Sequence, residues 1–144
     1  GKVHGGHILK LLDQVAYTCA SRYAGMYVVT LSVDRVLFRQ PIRVGELVTF
    51  LASVNYTGKS SMEVGIKVVS EDIHKGINTH TNSCFFTMVA MNEDGQPCAV
   101  PQLEPKTAVD QRRWQAALLR KQLRQELEER YDRKIKSLKH SGEL

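Results

Sequence analysis

The sequence predicts an α+β domain in which one antiparallel β-sheet wraps around a single long central helix, with a C-terminal helical extension. Two patterns carry that prediction. A broad apolar helical face runs from His7 to about Ala24, and several long segments of strand character follow it, in near-meander order, up to Met91. At 144 residues and 42% hydrophobic content, the chain is long enough for one core and short of two.

Ile8, Leu11, Leu12, Val15, Ala16, Cys19 and Ala20 make the helical face, and Gly25 is placed to stop it. Tyr27–Phe38 reads as a strand, with Val29, Leu31 and Val33 on one face and Thr30, Ser32 and Asp34 on the other. Pro41 and Gly45 punctuate the turn that follows. Leu47–Tyr56 and Met62–Glu71 read as strands joined by the tight link Thr57-Gly58-Lys59-Ser60, a hairpin signal. Asp72–Asn78 is a polar loop, and His80–Met91 is a last long strand before the turn Asn92-Glu93-Asp94-Gly95. Such a sheet has an open edge and a half-covered helix. Pairing two protomers edge to edge cures both, so a homo-oligomer with a dimer as its minimal unit is expected.

Charge divides the chain into 1–105 and 106–144. The first part holds nine basic and nine acidic side chains; residues 106–140 hold eleven and five, and the net charge is +5. A neutral module argues against nucleic-acid binding. The basic tail reads as a helix from Thr107 to about Lys139, with Trp114, Leu118, Leu123, Leu127, Tyr131 and Ile135 as a narrow apolar stripe. The tail either packs on a neighbouring subunit or serves as a basic arm near phosphates, or it is a solvated amphipathic helix that packs on its own domain or frays. No apolar run is long enough to cross a membrane. Cys19, Cys84 and Cys98 are odd in number and lack metal-ligand spacing, so reduced thiols, no metal site and a cytoplasmic location are expected. The chain opens at Gly1 without an initiator Met, which leaves room for a removed targeting segment.

The chemistry concentrates at Val3-His4-Gly5-Gly6-His7-Ile8-Leu9-Lys10-Leu11-Leu12-Asp13. Two glycines without Cβ atoms let a ligand approach the backbone where a helix begins. There the unpaired N–H groups and the positive dipole end suit a carbonyl oxygen gaining negative charge. Asp13 shares a helical face with Leu9, Ala16 and Ala20 and is expected on the core side, where a carboxylate is costly unless paired or used. The plainer alternatives are a Gly-Gly turn and an Asp that only braces a loop.

With Val29–Val36, Phe38-Arg39-Gln40-Pro41-Ile42-Arg43-Val44-Gly45-Glu46, Thr57-Gly58-Lys59-Ser60-Ser61-Met62-Glu63-Val64 and Cys84-Phe85-Phe86-Thr87-Met88-Val89-Ala90, this opening resembles the hotdog-fold acyl-CoA thioesterases. The branch is that of the bacterial enzymes and the mammalian cytosolic (brain) acyl-CoA hydrolase. The resemblance ends near Val100-Pro101-Gln102-Leu103. It implies hydrolysis of fatty acyl-CoA to a free acid and coenzyme A, with coenzyme A as part of substrate and product and no other cofactor. It implies an N-terminal strand and a functional Asn ahead of Gly1, and assembly as a trimer of dimers, a homohexamer.

By the same resemblance Asp13 is the catalytic acid, as general base or as nucleophile, and the N–H groups of Gly6 and His7 polarise the thioester. Gly58, Lys59, Ser60 and Ser61 resemble the coenzyme-binding loop: small residues beside a strand edge, hydroxyls for amides, an ammonium for a phosphate. Gly6 and Asp13 are seven residues apart, about 10 Å along one helix. That is too far for both to reach one carbonyl carbon, and a site between protomers removes the difficulty. The side chains of His4 and His7 are read as structural. His80 and Cys84, four apart on a strand, share a face and read as core packing, and Arg35, Arg39 and Arg43 serve either phosphates or ion pairs. Two alternatives stand beside hydrolysis: a hydroxyacyl-thioester dehydratase, for which no matching His is found, and a non-catalytic acyl-CoA-binding or regulatory module.

Overall fold

The computed structural model describes residues 1–142. The chain forms two compact units, Gly1–Glu104 and Pro105–Leu144. The first opens with helix α1 (Gly5–Ala24), followed by strands β1 (Val28–Asp34), β2 (Leu47–Thr57), β3 (Ser61–Asp72) and β4 (Ile77–Ala90). All pairings are antiparallel, in the order β1-β4-β3-β2. One helix against a single antiparallel sheet is the hotdog arrangement that the sequence implies.

Ile8, Leu12, Ala16, Ala20 and Ala24 form the buried stripe of α1, one residue per turn, and the helix packs on all four strands. It stops where Gly25 turns left-handed (φ 68°) and donates its N–H to Ser21 O at 2.8 Å, a conformation that side chains bearing a Cβ resist. The helix meets one face of the sheet. Cross-strand pairs Met62–Met88, Val64–Phe86 and Ile66–Cys84 all lie on it, and all are buried.

The sheet departs from the sequence reading in three places. β1 lies against β4 rather than β2, because the long connection from Arg35 to Glu46 carries the chain across the sheet. That connection pairs with the N-terminus: Val3 N–H donates to Ile42 O and Val44 N–H to Gly1 O, each at 2.8 Å. Simple alternation in β1 fails too. Thr30 pairs with Met88 but Ser32 with Thr87, so Leu31 is an extra residue, a bulge, and stands 68% exposed. Third, β3 and β4 run further than expected and close a short turn at residues 73–76. There Gly76 N–H donates to Asp72 O, and Asp72 Oδ1 accepts from the N–H groups of His74 and Lys75.

In the second unit, helix α2 (Ala108–His140) begins under a Thr107 cap whose Oγ1 accepts the Asp110 N–H at 3.0 Å. Leu119, Leu123, Leu127 and Tyr131 are exposed along it at four-residue steps. Among the described residues no helix is long and apolar enough to cross a membrane.

Candidate active site

Asp13 lies roughly 100° round the helix from Leu12 and about 60° from Ala16, on the flank of the buried stripe, and is exposed in this chain. This corrects the expectation that it faces the core. Leu9, expected beside it, is 39% exposed as well. Asp13 turns instead toward the edge strand β1, where the Thr30 hydroxyl donates to its Oδ1 at 2.6 Å. The bulge explains the meeting. Up to Thr30 the register of β1 matches the helix-facing residues of β4, Val28 with Ala90 and Thr30 with Met88, so Thr30 comes under α1. Sequence reasoning missed Thr30, which it placed only on one side of an alternating strand.

The two glycines at the start of α1 have different surroundings. A Cβ on Gly5 would stand 3.2 Å from the Phe38 ring, so Gly5 admits the aromatic of the Phe38–Ile42 segment. A Cβ on Gly6 would meet nothing within 4 Å, so packing gives no reason for glycine there. The helix start has no side-chain cap. His4 O accepts from His7 N–H at 3.1 Å and from Ile8 N–H at 3.3 Å. The N–H groups of Gly5 and Gly6 have no acceptor among the described residues. Of the two expected donors, Gly6 is therefore open and His7 already engaged.

The Gly58–Ser61 hairpin closes with Gly58 N–H donating to Ser61 O at 2.9 Å, and Lys59 is exposed at its tip. Ser61 pairs with Val89, which on its other side pairs with Val29. Two strand spacings, about 10 Å, thus separate Ser61 from the neighbour of Thr30. Asp13, Thr30 and the hairpin share one end of the sheet. Gly6 does not, being about 10 Å from Asp13 along α1 in the direction of Phe38.

The remaining candidates separate. His80 is exposed, its Nε2 2.9 Å from Asn82 O and 2.7 Å from Ser83 Oγ. Cys84 is wholly buried, and burial pushes its thiol up to about 11. The two do not share a face. Val68 pairs with Asn82 and Val69 with His80, so Thr81 is an extra residue that reverses the alternation between them. Arg35 takes a left-handed backbone (φ 43°), and the backbone of Arg43 forms an isolated antiparallel β-bridge with that of Lys2. Among the described residues no three His, Cys, Asp or Glu side chains converge as a metal site requires.

The sequence profile of the Thioesterase superfamily matches residues 1–77. Protein VdlD of Helicobacter pylori is 59% identical over 122 residues, 85% of this chain and 70% of its own. A structure of an apo-hexameric acyl-CoA thioesterase superposes with a TM-score of 0.84 at 38% identity, over 88% of this chain and 81% of that one. An acyl-CoA hydrolase from Staphylococcus aureus, solved with butyryl coenzyme A, coenzyme A and coenzyme A disulfide, gives a TM-score of 0.82 at 30% identity, over 95% and 84%. The same hydrolase has been solved with one aspartate and with one threonine replaced by alanine, at positions seventeen apart.

Proposed function

The chain belongs to the thioesterase superfamily, among its hotdog-fold acyl-CoA thioesterases, and from that premise we propose that it hydrolyses acyl-CoA to a free acid and coenzyme A. The observation that carries the site assignment is the 2.6 Å bond between Thr30 and Asp13, residues that are themselves seventeen apart. The S. aureus hydrolase was altered at an aspartate and a threonine with that same separation.

In this reading Asp13 either takes a proton from water as the water oxygen bonds the thioester carbon, or attacks that carbon itself. Thr30 holds the carboxylate in place. The oxyanion accepts from the open N–H of Gly6, with His7 N–H contributing once it turns from His4 O. Collapse breaks the C–S bond, and coenzyme A leaves as a thiolate. The water route gives the free acid directly, while the nucleophilic route leaves an acyl–Asp13 anhydride that a water hydrolyses to the acid and the free carboxylate. Gly58, Lys59, Ser60 and Ser61 hold the coenzyme arm and a phosphate.

Within one chain Gly6 and the hairpin lie on opposite sides of Asp13, so the site is assigned to a dimer interface, with Gly6 from one protomer and Asp13 from its partner. The hexameric relative supports a hexamer, which we take to be a trimer of such dimers. Residues 1–105 are taken as the catalytic module and 106–144 as a basic appendage. A cytoplasmic enzyme needing no cofactor beyond its substrate fits this chemistry.

The test is thiol release from a ladder of acyl-CoAs, with Asp13→Asn alongside. Turnover by the wild type and a loss of at least about 10²-fold in the variant are expected. A variant keeping more than about a tenth of wild-type turnover removes Asp13 from its role. Acyl-CoA binding without turnover by the wild type would favour the non-catalytic module.

A further inference from the structure

After β4 the chain doubles back as a strap, Cys98–Leu103, whose contacts reach both the hairpin and α1. Val100 N–H donates to Lys59 O at 2.9 Å, and Gln102 Nε2 donates to Gly58 O at 2.9 Å and to Val100 O at 3.2 Å. Leu103 N–H donates to Oγ1 of the buried Thr57 at 3.1 Å. Ala90 N–H takes the carbonyl of Ser60 at 2.9 Å. The Tyr23 hydroxyl, on α1, donates to Pro101 O at 2.8 Å.

Three consecutive hairpin carbonyls, Gly58, Lys59 and Ser60, are thus consumed within the unit. The N–H groups of Lys59 and Ser60 have no acceptor among the described residues. Successive outward N–H groups form a concavity for anions and carbonyl oxygens, and an ammonium and two hydroxyls stand beside this one. With these three carbonyls tied inward, the backbone at the hairpin tip presents its N–H groups.

We infer that Gln102 is a positioning residue for coenzyme binding: its carboxamide locks the Gly58 carbonyl inward, so that the hairpin turns its backbone donors, and not that carbonyl, toward the phosphates and amide carbonyls of the coenzyme. Two of the three carbonyl ties come from backbone N–H groups, which almost any residue supplies. The third is a side chain, and substitution can remove it. Tyr23 anchors the strap to α1, ten residues or about 15 Å along the helix from Asp13, so the same strap sets the hairpin relative to the catalytic acid.

The inference rests on the hairpin holding coenzyme A, and the experiment separates the two. Full-length wild type, Gln102→Met, Gln102→Glu and Lys59→Ala are compared by kcat and KM on an acyl-CoA and on the matching acyl-pantetheine, with Tm recorded. Gln102→Met keeps the side chain's length and loses both its donor and the Oε1 that accepts from Thr57 Oγ1 at 3.5 Å, a contact that Gln102→Glu can keep. KM for acyl-CoA should rise about five- to tenfold, the worth of one hydrogen bond, with kcat within about twofold.

Gln102→Glu sets a carboxylate against two carbonyls and should raise KM further. Its excess over wild type should shrink as pH is lowered toward about 5, since a protonated carboxyl regains an O–H donor. A merely structural residue gives no such recovery. Lys59→Ala should raise KM for acyl-CoA and spare acyl-pantetheine. If it spares both, the hairpin reading fails and takes this inference with it. If Lys59→Ala behaves as expected while both Gln102 variants keep wild-type KM, or lose Tm and kcat without a rise in KM, the inference alone is overturned.

Discussion

Replacing Thr30 with valine removes one hydroxyl and keeps the branched shape that suits an edge strand. The bond it deletes is short, 2.6 Å to Asp13 Oδ1, and belongs to the charge-assisted class worth about 1.5–3 kcal/mol. Asp13 is exposed in this chain, so water replaces part of the lost contact and the lower end applies. At about 1.4 kcal/mol per decade, kcat should fall roughly tenfold. KM should change little, because Thr30 is argued to touch the acid and not the substrate. The assay is steady-state thiol release by Thr30→Val in two backgrounds, wild type and Asp13→Asn. A coupled pair predicts the tenfold loss in the first and almost none in the second. A kcat within about twofold of wild type, or an equal loss in both backgrounds, would refute a threonine that works through Asp13.

Mixing Asp13→Asn subunits with subunits carrying a bulky residue at Gly6 should restore activity to dead parents, up to about one working site of two per mixed dimer. No recovery after proven exchange would place both groups on one chain. Gly65→Ala should destabilise by about 1–3 kcal/mol, because the new Cβ would stand 2.5 Å from Asn55 Nδ2 and 3.3 Å from the Phe85 ring. An unchanged Tm counts against that packing. A thiol reagent at pH 8 should reach Cys84 last of the three cysteines, since its thiol is buried and pushed up to about 11. Labelling as fast as at Cys98 would contradict its burial.

The parts of the fold written in short-range pattern were legible in advance. The broad apolar face from Ile8 to Ala20 announced α1, Gly25 ended it, and the Thr57–Ser60 link announced the hairpin. What escaped depends on pairing between distant strands. Alternation assigns Leu31 a face, but the bulge that exposes it exists only once β1 has docked on β4. The same docking brings Thr30 to Asp13, so a residue argued to be functional looked like an ordinary strand threonine. A second missed cluster joins Ser53, Asn55 and Glu63. Asn55 accepts from Ser53 Oγ at 2.8 Å and donates to the buried Glu63 at 3.1 Å, filling space that Gly65 leaves by lacking a Cβ. A glycine inside a β-branched strand was the available signal.

The two helices of this chain are finished differently. α2 begins in the ordinary way, with Thr107 as cap and Asp110 in its first turn. α1 has neither, and opens on two glycines. A cap is worth about 1 kcal/mol, and glycine within a helix costs nearly as much again. The first turn of α1 therefore frays at a lower free energy than the rest of the helix. A bound acyl group that accepts from that turn acts as a borrowed cap, and mass action then ties helix integrity to substrate concentration. On the proposed site, amide exchange at the start of α1 should gauge occupancy, slowing when acyl-CoA is added; exchange unchanged by acyl-CoA would count against an acyl group held there.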